Sequence, residues 1–254
     1  MIGFVFSAGL GTRLKPLTDT MPKALVPLAG KPLLQWQVER LRDAGIRDII
    51  VNVHHFPDMI IDTIRQNDGW GCHITVSDER DLLLDTGGGL RNAKYEIINH
   101  KSQMASDPIL ACNVDILSNI DLRAFIASYT SSTSPSSLLV VSERKTQRYL
   151  CFDSENNLCG WTNISTGQLR GCDGRHLAFS GMQILSPEVL ALLPQIPADK
   201  FSLIDFYMAI CEKQIKNPKS EIINLKAYIP DAFRMMDVGK INQIEEAERF
   251  AESL

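Results

Sequence analysis

Short apolar runs alternate with amphipathic stretches through the first half of the chain. Ile2-Gly3-Phe4-Val5-Phe6 closes on Ser7-Ala8-Gly9, and a run so short, bounded by small residues, predicts a buried strand over 1–6. From Lys31 to Ala44 the apolar positions Leu33, Leu34, Val38 and Leu41 return at helical spacing. Pro32 suits the first turn of that helix and Gly45 its stop. Ile49–Val53 predicts a second strand, and Pro57–Gln66 a second helix with Ile60, Ile61 and Ile64 turned inward. The same reading gives a strand over Cys72–Ser77, a helix over Gly89–Ile98 and a strand over Pro108–Cys112. Asp121 is placed to cap the next helix, and Leu138–Val141 makes a fifth strand.

The second half changes character. Arg148–Thr162 and Arg170–Ile184 mix glycine and asparagine with short apolar runs and predict β-hairpins. Helices return at Pro187–Leu193, Ser202–Lys216 and Ile241–Ser253, and Ser131–Ser137 reads as a low-complexity loop. Strand-helix alternation implies an α/β, Rossmann-like, mostly parallel sheet with helices on both faces, here followed by a small β-hairpin region. One domain over 1–254 is expected, with halves 1–145 and 146–254. Ligands of such sheets bind outside the carboxyl ends of the strands, which directs attention to the loops after strands one, three and four.

Composition narrows the function classes. Apolar residues make up 44% of the 254, enough for a sizeable core. The net charge of -4 lacks the basic footprint of a nucleic-acid binder, yet local cations can still hold a small anion. No apolar stretch approaches the ~20 residues of a membrane span. The N-terminus lacks a basic start and cleavage site, so a cytoplasmic location is expected. None of the six cysteines forms a C-x-x-C pair, and reduced thiols are expected.

Candidate chemistry concentrates in Ser7–Leu28. A loop of small residues after a strand lets backbone amides approach phosphate oxygens. Arg13, Lys15 and Lys23 add cations, and prolines 16, 22 and 27 stiffen the chain between them. Neither G-x-x-x-x-G-K-[ST] nor G-x-G-x-x-G is satisfied, because Leu14 stands where the third glycine of the second pattern belongs. Thr86-Gly87-Gly88-Gly89 removes side chains beside a helix start and reads either as room for a base or ribose or as a flexible loop. Asp115 ends an apolar strand, where a carboxylate serves either as a Mg²⁺ ligand or as an ordinary cap. Asp78, Glu79, Asp81 and Asp85 read as a solvated acidic loop. His54 and His55 are adjacent on a strand and point to opposite faces, which argues against a metal pair. Trp36, Trp70 and Trp161 read as packing residues.

The run Gly9-x-Gly11-Thr12-Arg13-Leu14-x-Pro16-x-Thr18, then Pro22-Lys23-x-Leu25-x-Pro27 and Lys31-Pro32, resembles the opening motif of the sugar-1-phosphate nucleotidyltransferases. Leu84–Leu90, Asn113-Val114-Asp115, Phe179-Ser180-Gly181 and Asp237-Val238-Gly239 resemble later segments of that family, so the likeness spans nearly the whole chain. Within it, the branch that uridylylates N-acetylmuramate 1-phosphate is the most similar.

The resemblance implies Arg13 and Lys23 as catalytic cations on the phosphates, and Mg²⁺ on Asp115 and Asp237. It implies a nucleotide seated on Ala8, Gly9, Gly11, Thr12, Arg13, Thr86, Gly87 and Gly88, and a sugar facing Asn113, Phe179, Ser180 and Gly181. The substrates implied are an NTP, UTP foremost, and a sugar 1-phosphate, with neither nucleic acid nor membrane as partner and a monomer or homodimer as the assembly. Ser7 stands where alanine is usual, Val114 where glycine is usual, and Glu143–Tyr149 departs from the pattern. Two other readings share the fold: a guanylyltransferase for mannose- or heptose-1-phosphate, and a noncatalytic nucleotide-sugar sensor.

Overall fold

A computed structural model describes residues 1–95, 106–131, 136–216 and 225–254. Four parallel strands form the centre of the sheet, in the order β6 (Ile109–Asn113), β1 (Ile2–Phe6), β4 (Asp48–Val53), β5 (His73–Asp78). Every residue of β1 is buried, because helices cover both faces of the sheet. Its alternation survives in the packing: Ile2, Phe4 and Phe6 join one core and Val5 the other. Burying a side chain such as Phe4 contributes about 1.5–3 kcal/mol.

The first core lies under α1 (Leu33–Asp43), α2 (Pro57–Gln66), α4 (Leu122–Thr130) and α7 (Ile244–Ala251). The second lies under α3 (Asp85–Ala93), α5 (Pro187–Leu190) and α6 (Leu203–Lys216). Asp121 caps α4 as the sequence predicts, its carboxylate accepting from the amides of Arg123 and Ala124 at 2.9 and 3.0 Å. The three tryptophans pack: the Trp36 indole donates to the Leu28 carbonyl at 3.0 Å, Trp70 is buried in the first core, and Trp161 lies against the second. All six cysteines are free thiols. Among the described residues, no helix is long and apolar enough to cross a membrane.

Past β6 the sheet turns antiparallel. β12 (Arg175–Leu185) pairs with β6, with β8 (Ser137–Ser142) and with β9 (Arg148–Phe152), and β10 (Leu158–Asn163) and β11 (Gln168–Gly171) extend that edge. β8 is the predicted fifth strand, but β12 separates it from the parallel set, and its parallel neighbour is β13 (Leu225–Tyr228). Two small antiparallel pairs stand apart: β2 (Pro27–Leu28) with β3 (Lys31–Pro32), and β7 (Ile116–Ser118) with β14 (Met235–Asp237). Lys31 and Pro32, expected to open α1, therefore belong to a strand, with Pro32 as the helix cap.

One predicted boundary moves in a way that matters. The helix expected at Gly89 begins at Asp85, so Thr86–Gly89 is its first turn and not a loop before it. Residues 96–98 of the predicted helix, like 132–135 of the serine-rich patch, lie outside the described residues. Glycine is tolerated in the helix because the segment 199–201 crosses directly over it. A Cβ on Gly87 would meet the Phe201 ring at 2.5 Å, and one on Gly88 the Asp199 carbonyl oxygen at 2.4 Å. The amides of Gly87 and Gly88 both donate to the Phe201 carbonyl, at 2.9 and 3.1 Å. Gly88→Ala must therefore push backbone against backbone. It is expected to destabilise the fold by about 1–3 kcal/mol, read as a fall in Tm by thermal denaturation; an unchanged Tm would show that the helix docks more loosely.

Candidate functional site

The chain runs from β1 outward through β4 and β5, then returns to the other side of β1 to form β6. The connections leaving the carboxyl ends of β1 and β6 therefore part in opposite directions and leave a crevice, as at other such reversal points in α/β sheets. A cleft of about 450 Å³ lies there, lined by Ala8–Thr12, Lys23, Asn52, Thr86 and Asn113–Asp115, among others.

The loop after β1 is shaped by close packing. Gly11 has φ +64°, and a Cβ there would meet Thr18 Cγ2 at 2.8 Å and Lys23 Cβ at 3.0 Å. Thr18 Oγ1 donates to the Gly11 carbonyl at 2.9 Å, as does the Leu14 amide at 2.8 Å. These bonds fold the loop back so that the 3-10 turn at Lys23–Leu25 reaches the cleft. Lys23 is only 8% exposed and pairs directly with Asp115. A buried ammonium requires a partner, and this carboxylate supplies it.

Backbone pairing brings in the second carboxylate. β14 lies antiparallel to β7 with Asp237 opposite Ile116, and the Val238 amide donates to the Asp115 carbonyl at 2.8 Å. Asp237 faces the Arg13 guanidinium at 3.7 Å, in space that Gly239 leaves open: a Cβ at 239 would meet both groups within 2.7 Å. Partial desolvation and the Asp115 charge push the Asp237 carboxyl above its usual range, while Lys23, Arg13 and Arg144 pull it down. Two carboxylates at one point, with oxygen ligands only, suit a hard divalent cation.

A polar network fixes the cleft where it meets the ends of β4 and β5. The Ser7 amide donates to Asn52 Oδ1 at 2.8 Å and its hydroxyl to the Asn52 carbonyl at 2.6 Å. Asn52 Nδ2 donates to Glu79 Oε1 at 2.7 Å, and Glu79 Oε2 accepts from the Leu84 amide at 3.2 Å. Ser7, Asn52 and Glu79 are all buried, and burial raises the Glu79 pKa. Glu79 is thus not part of a solvated acidic loop: its carboxylate holds the strand ends together and sets the start of α3. His54 serves the same corner through the Glu79 carbonyl, at 2.7 Å from Nδ1. The amide and hydroxyl of Ser7 together secure the loop to β4.

The predicted residues divide accordingly. Ala8, Gly9, Gly11, Thr12, Lys23, Thr86, Asn113 and Asp115 share the cleft, and Arg13 and Asp237 stand together at its border. Gly87 and Gly88 face the 199–201 segment and serve helix packing, as described above. Thr86 Oγ1 accepts from the Leu203 amide at 2.9 Å. Phe179, Ser180 and Gly181 lie on β12, where its register with β8 shifts. Gly181, at φ +68°, packs against Asn113, whose Nδ2 lies 2.8 Å from where a Cβ would sit. The Ser180 hydroxyl is buried without a partner in the described residues, and Arg144 donates to the Phe179 carbonyl at 2.8 Å. Sequence reasoning passed over Asn52, Lys200 and Arg144. Asn52 could have been flagged as the one polar residue inside Ile49–Val53, whereas Lys200 and Arg144 carry no local signal.

Comparison with known proteins accords with this geometry. Residues 2–158 match the nucleotidyl transferase family model. An N-acetylmuramate alpha-1-phosphate uridylyltransferase of Neisseria meningitidis is 31% identical over 192 residues, covering 74% of this chain and 77% of that protein. One from Caulobacter vibrioides is 39% identical over 116 residues, 45% of each chain, so the match to that relative spans under half its length. The crystal structure of HddC from Yersinia pseudotuberculosis, complexed with GMP-PN, superposes with a TM-score of 0.70 at 23% identity, covering 98% of this chain and 99% of that one; the likeness is one of fold. The glycine-shaped loop at the sheet's reversal point, the Lys23–Asp115 pair and the family match over 157 residues together place this chain in the nucleotidyl transferase family.

Proposed function

We propose that the protein transfers a nucleotidyl group from an NTP, UTP foremost, to a sugar 1-phosphate, releasing pyrophosphate. The observation that carries this reading is the convergence of Lys23, Asp115, Arg13 and Asp237 at the phosphate end of a glycine-lined cleft. An oxygen of the sugar phosphate attacks the α-phosphorus, a new P–O bond forms, and the bond to the β-phosphate oxygen breaks with its electron pair leaving on pyrophosphate. The acceptor is already an anion, so no protein nucleophile is required. The protein's task is to bring two anions together and to neutralise charge as it develops.

Lys23, released from Asp115 when substrate enters, is placed to bridge the two phosphate groups. Arg13 is placed to bind the outer phosphates. Gly9, Gly11 and Thr12 offer a small-residue wall against which phosphates can lie closely. Asp115 and Asp237 fit Mg²⁺, which would neutralise phosphate charge and polarise the α-phosphorus. Thr86 and Asn52 line the nucleoside end, while Asn113 with the Phe179–Gly181 bulge lines the acceptor side. The muramate 1-phosphate acceptor is favoured by the 31% and 39% identical relatives.

Lys23→Ala is expected to lower kcat on the order of a hundredfold or more, as when one preorganised charge donor is lost; wild-type turnover in that variant would remove Lys23 from the mechanism. Chelation of divalent cations is expected to abolish product formation and added Mg²⁺ to restore it, with Asp237→Asn needing a higher Mg²⁺ concentration for half-maximal rate. A pyrophosphate-release assay across NTPs and sugar 1-phosphates is expected to give its highest kcat/KM with UTP and N-acetylmuramate 1-phosphate. Preference for GTP with a mannose- or heptose-type acceptor would replace that assignment, and binding without turnover on any pair would mark a sensor.

A further inference from the structure

Beyond Arg13 the surface opens into a second groove, of about 780 Å³. Six cations line it: Arg13, Arg144, Lys145, Arg234, Lys240 and Arg249. Only two carboxylates, Asp237 and Glu246, oppose them there. The balance of the groove is thus opposite in sign to the chain's net charge of -4. Among the described residues, Arg13 alone of the six has an ion pair, the 3.7 Å contact with Asp237. The Arg234 guanidinium lies over the Phe250 ring at 5.6 Å, which holds it in place without neutralising it. Arg144 donates to the neutral Phe179 carbonyl, and the carboxylate whose charge reaches it, Asp237, is shared with Arg13. Like charges gathered on one face repel one another, and a bound anion relieves that cost.

Position identifies the anion. Arg13 and Asp237 belong to the groove, and each adjoins the cleft: Thr12 precedes Arg13 in the chain, and Asp115 is bonded to the segment carrying Asp237. Thr86 and Asn52 mark the nucleoside end of the cleft, so the groove opens beyond its phosphate end. Two linked phosphate groups carry roughly three negative charges at neutral pH, which the excess of cations over carboxylates in the groove can balance.

We propose that this groove is a subsite for inorganic pyrophosphate, receiving the product as it leaves Arg13 and holding the same molecule when the reaction runs backward. The inference rests on the nucleotidyltransfer reading for its role in turnover, but not for its binding test. Lys240 and Arg249, contributed by the segment after β14 and by α7, are the residues that distinguish the groove from the cleft.

The test is titration of pyrophosphate into the protein by calorimetry with no NTP or sugar phosphate present, comparing wild type with Lys240→Ala/Arg249→Ala and with the charge-conserving Lys240→Arg/Arg249→Lys. The alanine pair is expected to raise the Kd for pyrophosphate about tenfold or more, as charge-assisted contacts are lost, and the conservative pair to stay within about threefold of wild type. In turnover, the inhibition constant for pyrophosphate should rise by a similar factor, with the KM for the sugar phosphate far less affected. An unchanged Kd in the alanine pair, with its melting temperature retained, overturns the proposal. So does a tenfold rise in the KM for the sugar phosphate with pyrophosphate binding intact, which would make the groove an acceptor site. Because calorimetry needs no turnover, pyrophosphate binding lost in the alanine pair stands even if no sugar nucleotide is ever formed.

Discussion

Electrostatic repulsion between two carboxylates is the constraint around which the site is organised. Asp115 and Asp237 are held near one another by strand pairing between β7 and β14, not by any attraction of their own. The surroundings compensate: Lys23 is buried against Asp115, Arg13 faces Asp237, and Gly239 is vacant of side chain where those groups need room. A site with this much fixed charge, partly removed from water, is costly to maintain in the free protein. Under the proposed function, a divalent cation and phosphates would share that charge, which is what transfer between two anions requires.

The rest of the architecture keeps this cluster rigid. Ser7, Asn52 and Glu79 join the ends of three parallel strands through side-chain hydrogen bonds of 2.6–2.8 Å. Through Leu84 they also set where α3 starts, and α3 is clamped in turn by the 199–201 segment passing over Gly87 and Gly88. The cleft at β4 and α3 is thus fixed by buried hydrogen bonds and close backbone contact, and its other end, at Lys23 and Asp115, by charge. Cations not consumed by the carboxylates lie farther out, along the groove toward α7, where they remain available to an anion arriving from or departing to solvent.

Much of this was legible in the amino-acid sequence. The parallel strands, the helices that cover them and the capping role of Asp121 follow from period and capping chemistry, which act over a few residues. The Gly9–Lys23 loop was recognisable because its residue types are dictated locally, with Gly11 in a left-handed conformation and prolines limiting the path. Asp115 could be singled out from its place at the end of an apolar strand, and Asp237 only through resemblance.

Tertiary structure alone decided the remainder. The pairing of β7 with β14 that makes Asp237 a neighbour of Asp115 is non-local, and no short window reports it. Glu79 looked like one of several solvated acids because nothing near it in the chain reveals that Asn52 and the Leu84 amide await its carboxylate. Gly87 and Gly88 look like room for a ligand, yet it is Phe201 and Asp199, distant in sequence, that fill the space. The groove's cations are scattered from Arg13 to Arg249 and form no run in the sequence. Local sequence determines which elements form and what chemistry each can offer, because conformational preference is a short-range property. Which of those groups meet, and therefore which act together, is determined only when the sheet closes and its carboxyl edge is assembled.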